Sequence, residues 1–196
     1  MSNAAARIGP NAVIRLAEAL DAIESKAVTR KIFIAANLEA YVHAPPQAMV
    51  PEEDVTELHR RLRREVGQPR AASVSWIAGQ RTADYLLSHR IPGAVQRLLK
   101  LLPRRIASFV LLKAIGAHAW TFAGTSHFSW RMGRPITLMF KGCPLCRGDH
   151  STTPCCSYYS ATFERLFRKL INADATVTEV ECTAAGGEAC RFEIGY

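Results

Sequence analysis

The six cysteines of this chain all fall after residue 142, and two of them close the ends of an alternating ribbon. Thr176-Val-Thr-Glu-Val-Glu-Cys182 alternates polar with apolar, and Cys190-Arg-Phe-Glu-Ile194 does so again. Ala184-Ala-Gly-Gly-Glu188 between them is turn chemistry, so the segment predicts a β-hairpin with a thiol at the turn end of each strand. A chain that ends this way must supply an apolar layer for one face of the ribbon.

The remainder supplies it as helices. Pro10 to Ala27 places Val13, Leu16, Ala17, Leu20 and Ile23 on one stripe, and Thr29 to Val42 repeats the pattern with Ile32, Phe33, Ala36 and Ala40. Pro45-Pro46 breaks it, and Pro51 followed by Glu52, Glu53 and Asp54 starts a helix running to Val66, with Gly67 as its stop. Further helices are predicted over 71–89, 92–102 and 103–117. Trp120 to Trp130, interrupted at Gly124, and Ile136 to Phe140 read as strands, and Ser157 to Ile171 as a helix. The expected architecture is α+β: a helical N-terminal part over 1–110, then a four-stranded antiparallel sheet with a packed helix over 111–196, forming one compact unit.

Hydrophobic residues make up 48% and charged residues 21% of the 196, which is globular usage and enough chain for a core without staples. No apolar run is long enough to span a bilayer, and Met1 to Arg7 lacks a leader pattern, so a cytoplasmic protein is expected. The net charge of +8 is concentrated between Arg60 and Arg105, where ten Arg and one Lys face only Glu65 and Asp84. These charges stand as singles and doublets within amphipathic patterns, the texture of a solvated helix face, and no nucleic-acid partner is expected.

In a reducing compartment clustered thiols are ligands or small buried groups more often than disulfides. One ligand set would join Cys143 and Cys146 to Cys155 and Cys156. Another would take Cys182 and Cys190 from the hairpin, Cys156 from a helix start whose dipole favours thiolate, and Glu179 as a fourth donor. The second set has better mechanics, and four protein donors make a closed, structural zinc site that clamps helix to hairpin. The plain alternative is buried thiols with a surface Glu, and it is the stronger reading for Cys143 and Cys146.

Cys156-Ser-Tyr-Tyr-Ser-Ala-Thr-Phe163, Glu179-Val-Glu-Cys182 and Gly186-Gly-Glu-Ala-Cys190-Arg-Phe192 resemble the 4-vinyl reductase domain family. Ile8-Gly-Pro-Asn-Ala-Val-Ile14 and Pro144-Leu-Cys-Arg147 look most like its bacteriochlorophyll-biosynthesis branch, whose members carry the vinyl reductase name. The resemblance implies a fold similar to trafficking-complex subunits and haem-based nitric-oxide sensors. It also implies zinc on three Cys and one Glu, falling on Cys156, Glu179, Cys182 and Cys190. The doublet Cys155-Cys156 leaves the first ligand open by one residue.

Hydride delivery needs a nicotinamide, flavin or iron–sulfur donor, yet the chain contains no Gly-x-Gly from which to build a dinucleotide loop. The resemblance therefore points to a tetrapyrrole-binding accessory or carrier protein that holds a Mg-porphyrin or chlorophyllide for a pathway enzyme. A small-aromatic sensor or interaction scaffold is the alternative. Candidate ligand contacts are Trp120, Phe122, Phe128 and Trp130 as aromatic walls, His118 or His127 as an axial nitrogen, and Arg104 or Arg105 for a propionate. The apolar helical stripes also suit a homodimer.

Overall fold

A computed structural model describes residues 6–196; the opening Met1–Ala5, read above for a leader, lies outside the described residues. The described chain is α+β, with nine helices and a four-stranded antiparallel sheet.

The first strand β1 (Arg7–Ile8) pairs with β2 (Val50–Pro51), and between them lie α1 (Asn11–Ile23), α2 (Lys26–Ala35) and α3 (Ala40–His43). The break between the first two helices comes earlier than the periodicity predicts. Ser25 caps α2 by accepting a hydrogen bond from Val28 N at 3.3 Å, a local signal stronger than the continuing apolar stripe. Helix α4 (Glu52–Val66) begins after Pro51 as predicted, carries Glu52, Glu53 and Asp54 in its first turn and Arg63 and Arg64 in its last, and stops at Gly67. The long helix α5 (Gln68–His89) follows, then α6 (Gly93–Leu101) and α7 (Arg104–Ala117), each started by a proline.

The reading of Trp120 to Trp130 as one interrupted strand is corrected here. Trp120–Ala123 forms a helical turn, α8, and only His127–Arg131 is strand, β3. Gly124, at φ +57, makes the change of direction, and its α-carbon lies so close to the buried Glu52 carboxylate that a Cβ would meet it at 2.5 Å. A strand cannot run through that contact.

Strand β4 (Ile136–Lys141), helix α9 (Ser157–Leu170), and the ribbon β5 (Thr176–Glu181) and β6 (Cys190–Gly195) match the predicted elements closely. The sheet order is β3-β4-β6-β5, every pair antiparallel. Ile136, Leu138 and Phe140 of β4 and Cys190, Phe192 and Ile194 of β6 are buried, the period-two pattern of a sheet with one covered face. Helix α9 covers that face, α5 packs across α9, and α1 packs on α5. The α5–α9 crossing is tight because residue 79 is glycine: a Cβ there would sit 2.2 Å from Tyr158 O. Thr162 Oγ1 donates to Gly79 O at 3.1 Å across the same contact. No helix among the described residues is long and apolar enough to cross a membrane.

Candidate metal centre

Four segments deliver sulfur to one point at the edge of the core. The β4–α9 connection brings Cys143, Cys146 and Cys155, the residue before α9 brings Cys156, and the two ends of the β5–β6 turn bring Cys182 and Cys190. All six thiols are free and buried. Sγ–Sγ separations are 3.7 Å for Cys143–Cys156, 3.4 Å for Cys146–Cys190, 3.8 Å for Cys155–Cys182, 3.9 Å for Cys156–Cys190 and 3.8 Å for Cys182–Cys190. Three four-donor groupings arise in which every donor lies within 4.8 Å of the others, and Cys156 belongs to all three.

One grouping is Cys156, Glu179, Cys182 and Cys190, the set singled out in the sequence. Glu179 and Cys182 are three residues apart, an odd separation that in a regular strand puts side chains on opposite faces. A β-bulge resolves this. Glu179 pairs with Phe192 and Glu181 with Arg191, so Val180 is the extra residue and the strand's parity flips between Glu179 and Cys182. Val180 is left exposed as the cost of the re-aiming.

The Glu179 carboxylate is anchored through Oε2, which accepts Cys156 N at 2.6 Å, while buried Oε1 has no hydrogen-bond partner. Burial, then the neighbouring Cys182, pushes the Glu179 pKa up to about 9. Cys156 is pushed well above the thiol range by the surrounding thiols, Cys143 foremost, and by burial. A buried acid with an orphaned oxygen, among sulfurs that cannot all ionise together, is a donor set lacking positive charge. For a tetrahedral ion with metal–sulfur bonds near 2.3 Å, ligand sulfurs stand about 3.8 Å apart, and the Cys156–Cys190 and Cys182–Cys190 separations fit that edge.

The other sequence-derived set, Cys143 and Cys146 with Cys155 and Cys156, is drawn into the same cluster, so the two alternatives merge into one. Helix α4 holds them there. Thr56 Oγ1 donates to Pro144 O at 2.7 Å and Arg63 Nη2 to Leu145 O at 2.8 Å, while Arg63 Nε pairs with Asp149 at 2.7 Å. Glu52, fully buried, accepts Thr125 N at 2.8 Å and Thr125 Oγ1 at 3.1 Å and pairs with Arg147. His59 lies beneath, edge-on to Tyr158 with ring centroids 5.7 Å apart; its Nε2 has no partner, and burial, then Arg63, lowers its pKa to about 3. Glu52, His59 and Arg63 are absent from the sequence-derived candidates. Only Glu52 has a sequence signal, its place beside Pro51 at a helix start.

The candidate ligand contacts are dispersed. Phe122 and Phe128 join Phe140, Tyr159, Phe163 and Phe192 in an aromatic core, with Phe140 and Tyr159 stacked at 4.5 Å. Trp130 is half-buried, edge-on to Phe109 at 5.6 Å, and its indole lies against Gly116. Trp120 is 62% exposed. His118 and His127 are exposed, and His118 Nδ1 lies 2.9 Å from Ala114 O. Arg104 and Arg105 are exposed at the opposite end of α7, about 21 Å from His118 along fourteen residues of helix. A cleft of about 450 Å³ opens beside Glu179, lined by Trp76, Ser157, Ser160, Glu164 and Thr178 among others. Several arginines of the basic segment are paired along helix faces: Arg60 and Arg61 with Glu57, Arg70 with Glu24 and Arg81 with Glu18.

Residues 136–196 match the family model for the 4-vinyl reductase domain. The whole chain is similar to the bacteriochlorophyll synthase 23 kDa chain of Cereibacter sphaeroides, 39% identical over 96% of this chain and 90% of that one. The protein of the same description from Rhodobacter capsulatus is 35% identical over 96% and 86%. Among solved structures, an Fe(II) unliganded H-NOX protein from K. algicida superposes with a TM-score of 0.57 at 10% identity, covering 96% of both chains. An H-NOX structure described as probing haem distortion gives 0.54 at 11% identity, over 96% of this chain and 95% of that one. These structures share the fold.

Proposed function

This chain belongs to the 4-vinyl reductase domain family together with the bacteriochlorophyll synthase 23 kDa chains, and from that premise we propose that it serves bacteriochlorophyll biosynthesis as a zinc-clamped tetrapyrrole-binding carrier. The observation that carries this reading is the similarity over 96% of the chain to proteins named for that pathway, combined with a fold shared with a haem-related sensor family. The carrier holds a Mg-porphyrin or chlorophyllide intermediate and presents it to a pathway enzyme.

Zinc in this reading sits on Cys156, Glu179, Cys182 and Cys190. The ion supplies positive charge that stabilises three thiolates and the Glu179 carboxylate, and it accounts for the unpartnered Oε1. With four protein donors the site is structural, joining the start of α9 to the β5–β6 turn.

The pigment docks on the outer face made by α7, α8 and β3. Phe109, Trp120 and Trp130 offer aromatic surface there, and His118 and His127 offer nitrogens for the central metal. Phe122 and Phe128 serve the core instead. The spacing of α7 separates the roles of its two ends: Arg104 and Arg105 stand too far from His118 to grip the rim of a ring whose centre His118 ligates. They pair a propionate only when His127 or no histidine is the axial ligand.

The test is titration of the full chain with Mg-protoporphyrin or divinyl protochlorophyllide. A red-shifted Soret band and quenching of tryptophan fluorescence are expected at micromolar pigment, with quenching reduced in the Trp120→Phe, Trp130→Phe double variant. An unshifted spectrum overturns the carrier reading. A second reading, an interaction scaffold or homodimer, is favoured by one observation: Val95, Leu98, Leu101, Ile106, Phe109 and Val110 form an exposed apolar row on α6 and α7, with Leu101 84% exposed. It predicts a dimeric mass in solution that Leu98→Glu reduces to that of the monomer.

A further inference from the structure

Three of the six thiols have no part in a Cys156–Glu179–Cys182–Cys190 site. Buried cysteine is ordinarily a small apolar side chain, yet packing alone does not require these sulfurs to converge on the same two partners. Cys143 Sγ lies 3.7 Å from Cys156 Sγ, and Cys146 Sγ lies 3.4 Å from Cys190 Sγ. Cys156 and Cys190 are themselves 3.9 Å apart, so the four sulfurs approximate the edges of a second tetrahedron built on one edge of the first.

We propose that Cys143 and Cys146 hold a second divalent ion of the zinc class, with the thiolates of Cys156 and Cys190 bridging it to the first. This rests on the zinc reading given above and extends it from a single ion to a dinuclear thiolate cluster.

The supporting loop is built for this purpose. Cys143-Pro-Leu-Cys146 has the two-residue spacer of zinc chelates. Gly142, at φ +78, turns the chain out of β4, and Arg147 Nη2 donates back to Gly142 O at 2.7 Å, closing the loop on itself. Thr56 and Arg63 hold the two intervening carbonyls from α4, so both thiols are fixed before any ion binds. The Thr183 hydroxyl, 3.1 Å from Cys146 Sγ, is placed to donate to a thiolate there.

Cys155 is the poorer candidate. It also comes within 4.8 Å of Cys146, Cys156 and Cys182, but it is the chain neighbour of Cys156 and lacks a chelating spacer. Loading both ions sets five thiolates and one carboxylate against two divalent charges, with the displaced thiol protons passing to solvent. The buried Arg63, bonded inside the same loop, provides further positive charge beside the cluster.

Native mass spectrometry and elemental analysis of the full chain purified with zinc measure the stoichiometry. The expected values are two ions per chain for the wild type and for Cys155→Ser, and one for the Cys143→Ser, Cys146→Ser double variant. Loading the wild type with cadmium-113 tests the bridges independently of that variant's folding: two resonances split by mutual coupling are expected. One zinc and one cadmium signal in the wild type overturn the second ion and leave the first intact. No bound metal overturns both readings. Iron with acid-labile sulfide in place of zinc overturns the dinuclear zinc cluster.

Discussion

At the β5–β6 end of the sheet, six sulfurs and a carboxylate from four segments are gathered into one buried cluster, whereas along α7, α8 and β3 the residues with ligand chemistry stand apart in solvent. The first region is assembled by short-range devices: a tight ribbon, a bulge at Val180, a helix start at Cys156 and a loop strapped to α4. The second is assembled only by the packing of α7 against β3 through Phe109, Gly116 and Trp130. A site that binds an ion must be complete in the folded chain, because donor geometry is fixed by the metal. A face that binds a broad, flat molecule can be shallow and extended, and changes to it leave the core alone.

The largest expected effect follows from removing one sulfur of the first region. Cys182→Ser or Cys190→Ser releases the bound zinc and lowers unfolding stability by several kcal/mol, because metal binding and folding are linked. Urea denaturation with parallel metal analysis checks both. Unchanged stability would place the cluster among ordinary buried thiols and erase the contrast between the two regions.

That contrast is only half readable in the sequence. Alternation over 176–182 and 190–194 and the apolar spacing over 157–170 lead directly to β5, β6 and α9, since both patterns are local. The donors Cys156, Glu179, Cys182 and Cys190 are legible as residue types. Their common face is not, because it depends on a bulge whose extra residue, Val180, looks like any strand valine. The merging of the two cysteine sets is hidden for another reason: contacts from Thr56 and Arg63, more than eighty residues earlier, place the Cys143–Cys146 loop. Trp120–Ala123 reads wrongly as strand because aromatic residues favour strands, while the Gly124–Glu52 contact that stops the strand is tertiary.

Next in size is the helix crossing that carries α9 and thus Cys156. Gly79→Ala forces a methyl group to within 2.2 Å of Tyr158 O, on a backbone atom that cannot swing away. A loss of about 3 kcal/mol is expected, the upper range for overpacking. Because Tyr158 lies two residues from Cys156, zinc retention after dialysis should fall with it, whereas the α7 face should be unaffected. A variant with wild-type stability would mean that the two helices separate freely there.

A smaller effect distinguishes the regions by pH. His59 is neutral in the folded chain, with its pKa lowered to about 3, against about 6.5 when unfolded. Between those values the unfolded state binds the extra proton, so stability falls as pH drops below about 6.5, by at most about 1.4 kcal/mol per pH unit. Acid also protonates thiolates, so the informative quantity is the difference between wild type and His59→Phe. The variant should lack His59's share of the slope, and identical slopes would show that the imidazole reaches solvent.

The smallest expected change in stability belongs to the outer face, and it makes the sharpest comparison. Phe109→Ala and Trp120→Ala remove exposed aromatic surface, with Phe109 46% and Trp120 62% exposed, so each should alter unfolding stability by little more than about 0.5 kcal/mol. If the pigment lies on this face, the same substitutions weaken its binding about tenfold each, the loss of an aromatic contact in a desolvated interface. A variant that keeps its zinc and its melting temperature while losing its Soret shift separates the two regions cleanly. One that keeps full pigment affinity moves the docking surface elsewhere, and the cleft beside Glu179 becomes the surface to alter next.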